Sequence, residues 1–434
     1  MTRLPALLGL GLLLPLLVAG CAKRMDGASP AYAGRGEGGA AGAASYGEAA
    51  AASPAEASAA VAREDAEEAP GFTRGLQVGR LTAGVFDDAL NPGALARFAE
   101  RVGQAPALAR IAAALAEPFT VVTVVDPEGR PLVGARVQGH PTGTDGRVVI
   151  LADEMKTVRG GGALVDVEYG GERRTEIVAI GQQDALVRLA GRAQAPRALD
   201  LALVIDATGS MGDELEYLKV ELRGIVGEIA AAYPNVDQRW ALVVYRDKGD
   251  AYVSRTFDFV GRLGAFERDL GAQSADGGGD YPEAMDRALE DAAALSWRGD
   301  AAARVLFLVA DAPPHPEAID RTLGAVSELR GRGVAVYPVA ASGVAEEAEL
   351  VMRAAALTTG GQYLFLTDDS GVGASHAEPH IPCYDVESLR DSMIRMVASE
   401  LGGRRVEADP ARRVRQVGHA ERGVCRTPTL AVPG

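Results

Sequence analysis

The sequence is poor in the residues that build several common kinds of site. Its 434 residues include only three Cys and five His, which excludes a disulfide-dense scaffold and a site with four Cys ligands. It contains no HExxH or CxxC, no GKT or GKS of a phosphate-binding loop, and no GxSxG of a nucleophile elbow. Motifs therefore give no positive sign of an enzyme, although a triad assembled in space leaves no such trace.

Basic charge and aromatic side chains are also scarce. Lys and Arg total 44 against 59 Asp and Glu, so the net charge is −15 and the pI is near 5.0. This balance argues against a nucleic-acid binder that works through a basic surface. Aromatics are only 5% of the chain and Gly contributes 53 residues, which indicates that part of the chain never packs into a core.

The N-terminus predicts export. Residues 1–20 have a short positive segment, an apolar stretch and then small residues, as in a secretory signal peptide. They lead into Leu17-Val18-Ala19-Gly20-Cys21, which resembles the bacterial lipobox. That resemblance implies lipidation of Cys21 and anchoring in the cell envelope. Ala22 then favours the outer over the inner membrane in a cell that has two.

The remainder divides by composition and hydrophobic period. Residues 21–71 are rich in Ala and Gly and show no lasting period, so we predict a disordered tether. Residues 72–117 show apolar positions at helical spacing and are predicted to be a helical connector. Residues 118–192, here called the β-module, carry short Val- and Ile-rich runs between turns and are predicted to form a small antiparallel β-sandwich. Residues 402–434 are an Arg-rich tail that we expect to be solvated.

From residue 198 to 401, apolar runs alternate with helical stretches. Strands covered on both faces read as continuously apolar, as LDLALVI, RWALVVY, RVLFLVA, GVAVYPV and GQYLFL do. The fold prediction is an α/β doubly wound parallel sheet with helices on both sides.

The first of these strands ends in three oxygen-bearing side chains at alternate positions, Asp206, Thr208 and Ser210. Open α/β sheets bind ligands beyond the carboxyl ends of their strands. One carboxylate with two hydroxyls is a hard-oxygen set that suits Mg²⁺ or Mn²⁺ better than zinc. The alternative is a capping turn, because these residue types are common at helix starts.

Asp-x-Thr-x-Ser after an apolar strand resembles the metal-ion-dependent adhesion site of von Willebrand factor A domains. Several further segments agree in order with that family: Tyr245-Arg246-Asp247, Gly277-Gly278-Gly279-Asp280-Tyr281-Pro282-Glu283 and Ala310-Asp311-Ala312-Pro313-Pro314-His315. The chain also resembles bacterial A-domain lipoproteins with a β-module before the A domain. The β-module itself, through GRPLVGARV and TDGRVVI, resembles the carboxypeptidase-regulatory-like family.

The resemblance implies a ligand set and a kind of partner. Thr208 and Ser210 would bind the metal directly, while Asp206 and Asp311 would act largely through water. The family has a Thr where this sequence has Gly279-Asp280, so Asp280 or water takes that role here. A carboxylate of a bound protein would complete the coordination.

Three groups are left open by the sequence. Cys383 and Cys425 can form one disulfide in an oxidising envelope, but nothing places them close in space. Asp247 is predicted to pair with Arg246 as a structural ion pair. His376 and His380 lie in a polar loop, which favours solvated side chains over a second metal site.

These features favour a binding module over an enzyme. The leading prediction is an envelope lipoprotein whose A domain binds a protein partner through Mg²⁺. One alternative is a structural envelope scaffold whose metal only stabilises the fold. The other is a metal-assisted hydrolase with Asp247 or His315 as general base.

Overall fold

The computed structural model describes residues 81–279, 281–299, 302–341, 344–371 and 376–426. The predicted signal peptide and tether, Cys21 and Asp280 lie outside these ranges. All the described residues belong to one compact unit, Arg74–Gly434. Within them, no helix combines the length and the apolar composition that crossing a membrane requires.

The described residues contain nineteen strands and eight α-helices. The strands are β1 (Thr82–Phe86), β2 (Thr120–Val125), β3 (Arg136–Val137), β4 (His140–Pro141), β5 (Arg147–Ile150), β6 (Lys156–Val158), β7 (Gly162–Tyr169), β8 (Glu172–Ala179), β9 (Ala185–Arg188), β10 (Ala198–Asp206), β11 (Asp237–Tyr245), β12 (Ser254–Val260), β13 (Ala302–Ala310), β14 (Ala335–Ala340), β15 (Tyr363–Thr367), β16 (Tyr384–Ser388), β17 (Arg415–Val417), β18 (Ala420–Glu421) and β19 (Val424–Cys425). The helices are α1 (Pro92–Val102), α2 (Ala109–Ala116), α3 (Gly212–Ala232), α4 (Leu263–Gly271), α5 (Met285–Ala294), α6 (Ile319–Gly331), α7 (Glu346–Thr359) and α8 (Leu389–Gly402).

Nine strands form one large sheet in the order β12-β11-β10-β13-β14-β15-β1-β16-β17. The run from β11 to β15 is parallel and corresponds to the five apolar segments of the sequence. Strands β12, β1 and β17 each run antiparallel to their neighbours. The predicted α/β fold is confirmed, but the sheet is mixed and not wholly parallel. The added strands are short, and alternation with helices does not reveal them.

Helices cover both faces of this sheet. Along β10, Leu201, Leu203 and Ile205 enter one core, while Ala202 and Val204 enter the other. Helices α3, α4 and α8 close the first face, and the other five helices close the second. The turns at the carboxyl edge, where β10 and β13 end, are thereby held by packing on both sides.

Strand β1 is the main departure from the predicted connector, because it lies inside the large sheet, between β15 and β16. Thr82 pairs with Thr367 on one side and with Ser388 on the other. A β-carbon on Gly84 would lie 2.2 Å from the ring of Phe365, so this crossing needs a residue without a side chain. The helical part of the prediction corresponds to α1 and α2.

The segment after α8 is also more ordered than a solvated tail. Its strand β17 extends the large sheet, and Arg405 forms an ion pair with Asp87. Cys425 is joined to Cys383 by a disulfide. Polar and covalent contacts hold this segment, and an apolar period would not have predicted either kind.

The β-module has two sheets around one apolar core. In the smaller sheet, β2 pairs antiparallel with β5 but parallel with β9. In the other, β7 lies between β6 and β8 and also pairs with β3. The arrangement is therefore a sandwich with one parallel pair.

Charged contacts join the β-module to the rest of the unit. Arg330 of α6 forms an ion pair with Glu154 and donates to the carbonyl oxygen of Val149. Glu400 of α8 accepts from the Thr144 hydroxyl at 2.7 Å and from the Tyr337 hydroxyl at 2.7 Å. Burial raises the pKa of Glu400 from 4.5 to about 7, although both hydroxyls lower it.

Glu400→Gln should make the free energy of unfolding less dependent on pH. Between pH 4.5 and about 7 the folded chain keeps a proton on Glu400 that the unfolded chain releases. Stability therefore falls as pH rises through this range and stays reduced above it. The variant should be more stable than wild type by ~1–3 kcal/mol at pH 8 and nearly equal at pH 4.5, measured by urea unfolding.

The matched control is Glu407→Gln, whose side chain is 55% exposed and which should unfold in parallel with wild type at all pH values. Parallel curves for Glu400→Gln and wild type would show that Glu400 is ionised in the folded protein.

Candidate metal centre

The first loop of the site begins where β10 ends, at the carboxyl edge of the large sheet. Asp206 and Thr208 are fully buried, whereas Ser210 is exposed. Asp206 Oδ1 accepts from the Thr208 amide at 2.9 Å and from the Thr208 hydroxyl at 2.6 Å. The Thr208 and Ser210 hydroxyl oxygens lie 3.1 Å apart. The three predicted side chains thus form one hydrogen-bonded set.

Asp311 follows β13, the strand next to β10, and is 5% exposed. Its backbone carbonyl accepts from the Tyr281 hydroxyl at 3.1 Å, and this hydroxyl accepts from the Ala345 amide at 2.7 Å. Tyr281 therefore ties together the loops after β13 and β14. The structure brings Asp311 to the same edge as Asp206, as the adjacent parallel strands require.

The middle loop lies directly on the first. The Gly209 amide donates to the Gly277 carbonyl at 3.0 Å, and the Asp276 amide donates to the Ala207 carbonyl at 3.1 Å. Gly277 has φ +78°, and a β-carbon there would lie 2.4 Å from the Asp250 carboxyl group. Only Gly fits this close approach in a left-handed conformation. Asp280 lies outside the described residues, so its predicted role stays a prediction.

Glu283 is a site residue that the sequence analysis missed. It is 3% exposed, and its amide donates to the Pro313 carbonyl at 2.9 Å, which fixes it beside the loop of Asp311. A β-carbon on Gly278 would lie 3.0 Å from the Glu283 carboxylate and 3.2 Å from Thr208 Cβ. The Glu283 and Thr208 side chains therefore flank the same small space. The only sequence signal was a Pro-Glu pair two residues after the Gly-rich run, and such a pair is also typical of a helix start.

The carboxylates of this edge are crowded. Burial, and then Asp311, raise the pKa of Asp206 to about 7. Burial raises the pKa of Asp311 to about 6; the Ser210 hydroxyl lowers it and Glu214 raises it further. Burial, and then Asp206, Asp247 and Asp311, raise the pKa of Glu283 to about 9. Without a cation, ionisation of these three carboxyl groups is therefore unfavourable.

The donor set fits a hard divalent cation. Asp206 Oδ2, Glu283 Oε2 and Asp311 Oδ1 are buried and have no hydrogen-bond partner among the described residues. Such orphaned buried acceptors are rare unless an ion or water satisfies them. In the described ranges, no group of three or more His, Cys, Asp and Glu side chains could hold a metal ion. A cation here would therefore need the Thr208 and Ser210 hydroxyls and water as well, as Mg²⁺ commonly does.

The predicted Arg246–Asp247 pair is wrong. Asp247 Oδ1 lies 2.6 Å from His315 Nε2, and both side chains are mostly buried. Arg246 instead faces Asp276 at 3.4 Å and donates to the Ser274 carbonyl at 2.9 Å. Neighbouring residues of an extended loop point to opposite sides, which separates the two side chains.

Both loop histidines contact carboxylates, but only His376 is buried, contrary to the prediction of a solvated side chain, whereas His380 is exposed. His376 is 8% exposed and lies between Glu214 at 3.2 Å and Asp368 at 2.8 Å. These contacts raise its pKa against burial, which lowers it. His380 contacts Glu346 and Glu349, each at 3.0 Å. A polar loop was a poor guide here because the partners come from α3, α7 and the end of β15.

Comparison with known proteins agrees with this geometry. A family model of the von Willebrand factor A domain matches residues 200–368. An ariadne-like RING finger protein of Acanthamoeba polyphaga mimivirus is 34% identical over 117 residues, which are 27% of this chain and 11% of that protein. The chain thus spans about a tenth of the length of this curated relative.

The crystal structure of a conserved hypothetical protein, BatB, from Bacteroides thetaiotaomicron aligns with 47% of this chain and 98% of its own. The identity is 11% and the TM-score is 0.33, a likeness that carries no weight for the assignment. The family model and the strand order with Asp206 and Asp311 at adjacent strand ends lead to the same conclusion. Residues 200–368 of this chain form a von Willebrand factor A domain.

Proposed function

We propose that this chain is a bacterial envelope lipoprotein whose A domain binds a protein partner through Mg²⁺ or Mn²⁺. The observation that supports it is the set of buried, unpartnered carboxylate oxygens at the carboxyl edge of the sheet. Hydroxyl groups of Thr208 and Ser210 adjoin them. Von Willebrand factor A domains also typically act as interaction modules, and residues 200–368 match that family.

Each residue has a distinct part in this proposal. Thr208 and Ser210 supply neutral ligands, and Asp206 orients Thr208 through its two hydrogen bonds. Asp206 and Asp311 supply negative charge and accept from water. A bound Mg²⁺ would offer a Lewis-acidic position for an Asp or Glu carboxylate of the partner.

The surface around the site suits a protein partner. Ser210 is exposed beside the buried Asp206, so the edge opens to solvent. Tyr281 is 45% exposed on its rim, although its hydroxyl is fixed by the neighbouring loops. A held aromatic side chain beside a buried polar centre is typical of the residues that contribute most to protein interfaces.

Asp206→Ala should abolish metal-dependent capture of partners from envelope extract. The variant loses the carboxylate that orients Thr208 and balances the cation. Capture would be compared in Mg²⁺ and in EDTA, with quantification by mass spectrometry. We expect proteins enriched with wild type in Mg²⁺ to fall at least ~10-fold in the variant or in EDTA, consistent with losses seen when groups around metal sites are removed.

The matched control is Asp237→Ala, at the opposite end of the neighbouring strand, where the side chain is 77% exposed. It should capture the same partners as wild type. An identical set of proteins with wild type, with Asp206→Ala and in EDTA would contradict the proposal. If EDTA then still lowered the melting temperature, the scaffold function with a stabilising metal would be the better account.

Anchoring at the membrane is part of the proposal and depends on Cys21. Lipidation adds ~0.8 kcal/mol of membrane affinity per buried CH₂ group, so several chains anchor firmly. Wild type should incorporate a fatty-acid analogue and be recovered in the membrane fraction. Cys21→Ser should lose both the label and the association with membranes. Unchanged labelling in that variant would exclude the lipid anchor.

A metal-assisted hydrolase is the second candidate, favoured by the buried His315–Asp247 pair. A carboxylate that fixes a His ring is a common arrangement for a general base. Hydrolysis of any ester, peptide or phosphate in a broad panel, lost in His315→Ala, would support it. Absence of turnover across the panel would remove it.

A further inference from the structure

We propose that Glu283 takes the place of the missing middle-loop Thr and accepts from water on the metal. This inference rests on the proposed function, because it concerns the same cation. Glu283 would act as a positioning residue. It follows Gly279-Asp280, where the family's Thr is absent, and it belongs to none of the ligand positions that the resemblance implied.

Burial and the lack of a partner are the first argument. Glu283 is 3% exposed, and its Oε2 atom has no hydrogen-bond partner among the described residues. A carboxylate in that state is expensive to bury unless something compensates its charge. After burial, the groups that raise its pKa most are carboxylates, namely those of Asp206, Asp247, Asp311 and Asp250.

Placement is the second argument. The Glu283 backbone forms a parallel bridge with Pro314 and bonds to Pro313, so it moves with the loop of Asp311. Its carboxylate and the Thr208 side chain meet at the same side of Gly278, where φ is +73° and no side chain intervenes. The three unpartnered oxygen atoms of the edge, on Asp206, Asp311 and Glu283, therefore belong to three different loops.

Chemistry is the third argument. A Thr hydroxyl in the middle loop would be a neutral ligand, whereas Glu283 adds a full negative charge. With Asp206 and Asp311, it more than balances the two charges of Mg²⁺. The protein would then retain its cation without a partner, since the partner's carboxylate is not needed for neutrality. Because Glu283 acts through water, the proposal does not require three acidic side chains to bind the ion directly. This agrees with the described residues, in which no group of three or more such side chains could hold a metal ion.

Calorimetric titration with MgCl₂ or MnCl₂ alone tests this on the purified full chain. We expect Glu283→Gln to weaken binding of both metals ~10- to 100-fold, the range for groups that support metal ligands indirectly. Glu283→Asp keeps the charge and should fall between wild type and Glu283→Gln. The control is Asp276→Asn, which removes one charge from the same middle loop at a side chain that is 80% exposed. It should change the dissociation constant by less than ~3-fold, because exposed charges are screened.

Thermal unfolding gives a second readout that a purely structural role would not produce. In EDTA, Glu283→Gln should melt at a higher temperature than wild type, because one of the mutually repelling buried carboxylates is gone. In excess Mg²⁺ its rise in melting temperature should be smaller than that of wild type. A higher melting temperature than wild type in EDTA, together with a smaller rise on addition of Mg²⁺, supports the proposal.

Equal lowering of the melting temperature in EDTA and in Mg²⁺ would overturn it in favour of a structural role. Unchanged metal affinity in Glu283→Gln, with affinity lost in Asp206→Ala, would overturn it and leave the proposed function standing. If Asp276→Asn weakened metal binding as much as Glu283→Gln, the proposal would be overturned, because any nearby negative charge would then have the same effect. Absence of metal binding by wild type would overturn this inference and the proposed function together.

Discussion

Arg353→Ala is expected to lower the free energy of unfolding by ~3–5 kcal/mol, the range for breaking a buried ion pair from one side. The Arg353 side chain is fully buried on α7. Two of its nitrogens donate to the Asp88 carboxylate at 2.6 and 3.0 Å, and a third donates to Glu349 at 2.9 Å. Burial lowers the pKa of Arg353, but the two carboxylates raise it by more than burial lowers it. The net pKa is above the usual value, so the guanidinium stays charged.

The loss would be large because Ala leaves two buried carboxylates facing each other. Asp88 precedes α1, whereas Glu349 and Arg353 belong to α7, so this charge cluster joins the turn before α1 to α7. Arg353 also lies over the Phe98 ring, with 4.7 Å to its centroid. The midpoint of urea unfolding, followed by circular dichroism, measures the effect.

Arg101→Ala is the matched control. The Arg101 guanidinium also lies over the Phe98 ring, 5.3 Å from its centroid, and pairs with Glu346. Its side chain is 52% exposed, so we expect a loss below ~1 kcal/mol. The triple variant Arg353→Met, Asp88→Asn, Glu349→Gln should regain much of the lost stability. Equal losses for Arg353→Ala and Arg101→Ala would show that the cluster contributes no more than surface charge.

Cys425→Ser is expected to cost ~2–4 kcal/mol and to release the segment after α8. The Cys383–Cys425 disulfide closes a loop with a sequence separation of 42 residues, and loop entropy of that length corresponds to ~4 kcal/mol. Most residues of this segment are exposed and none of those described is fully buried, so little apolar burial would replace the bond. The remaining ties are polar, chiefly Arg405 to Asp87 and Asn91 to the backbone of Gly423 and Cys425.

Thermal unfolding with and without dithiothreitol measures this effect, and limited trypsin digestion locates it. Wild type with reductant should match Cys425→Ser, with early cleavage at the Arg residues between 404 and 415. Reductant should not change the variant. If reduced wild type kept its melting temperature and its resistance to trypsin, the polar ties would be sufficient.

Local patterns predicted the parts of the molecule that depend on neighbouring residues. Continuous apolar runs identified β10, β11, β13, β14 and β15, because each strand is covered on both faces. The alternate spacing of Asp206, Thr208 and Ser210 predicted the first loop, because the end of one strand orients all three side chains. Asp311 was implied by the family resemblance, and the structure places it near Asp206 because its strand, β13, pairs with β10.

Contacts between distant residues could not be predicted in this way. Strand β1 is five residues long and pairs with strands about 280 and 300 residues later, so its partners leave no local trace. Glu283 is defined as a site residue by burial and by the absence of a partner, which are properties of the folded protein. His376 is buried and contacts Glu214 and Asp368, which are distant from each other in the sequence. The sequence shows three polar residues, and only tertiary packing makes them one cluster.

Strand β1 also determines how the molecule would carry mechanical load. Because β1 runs antiparallel to β15, its first residue, Thr82, lies at the same edge of the sheet as the loop of Asp206. Tension from an anchor at Cys21 would enter there, and tension from a captured partner would enter four strands away, ~15–20 Å across the sheet. The force would pass sideways through the ladders between β10 and β1, while the far edge and the β-module stay outside its path. If the proposed anchor and the proposed partner both bear load, the two points of tension lie at the same edge of the sheet, and the helices are not stretched between them.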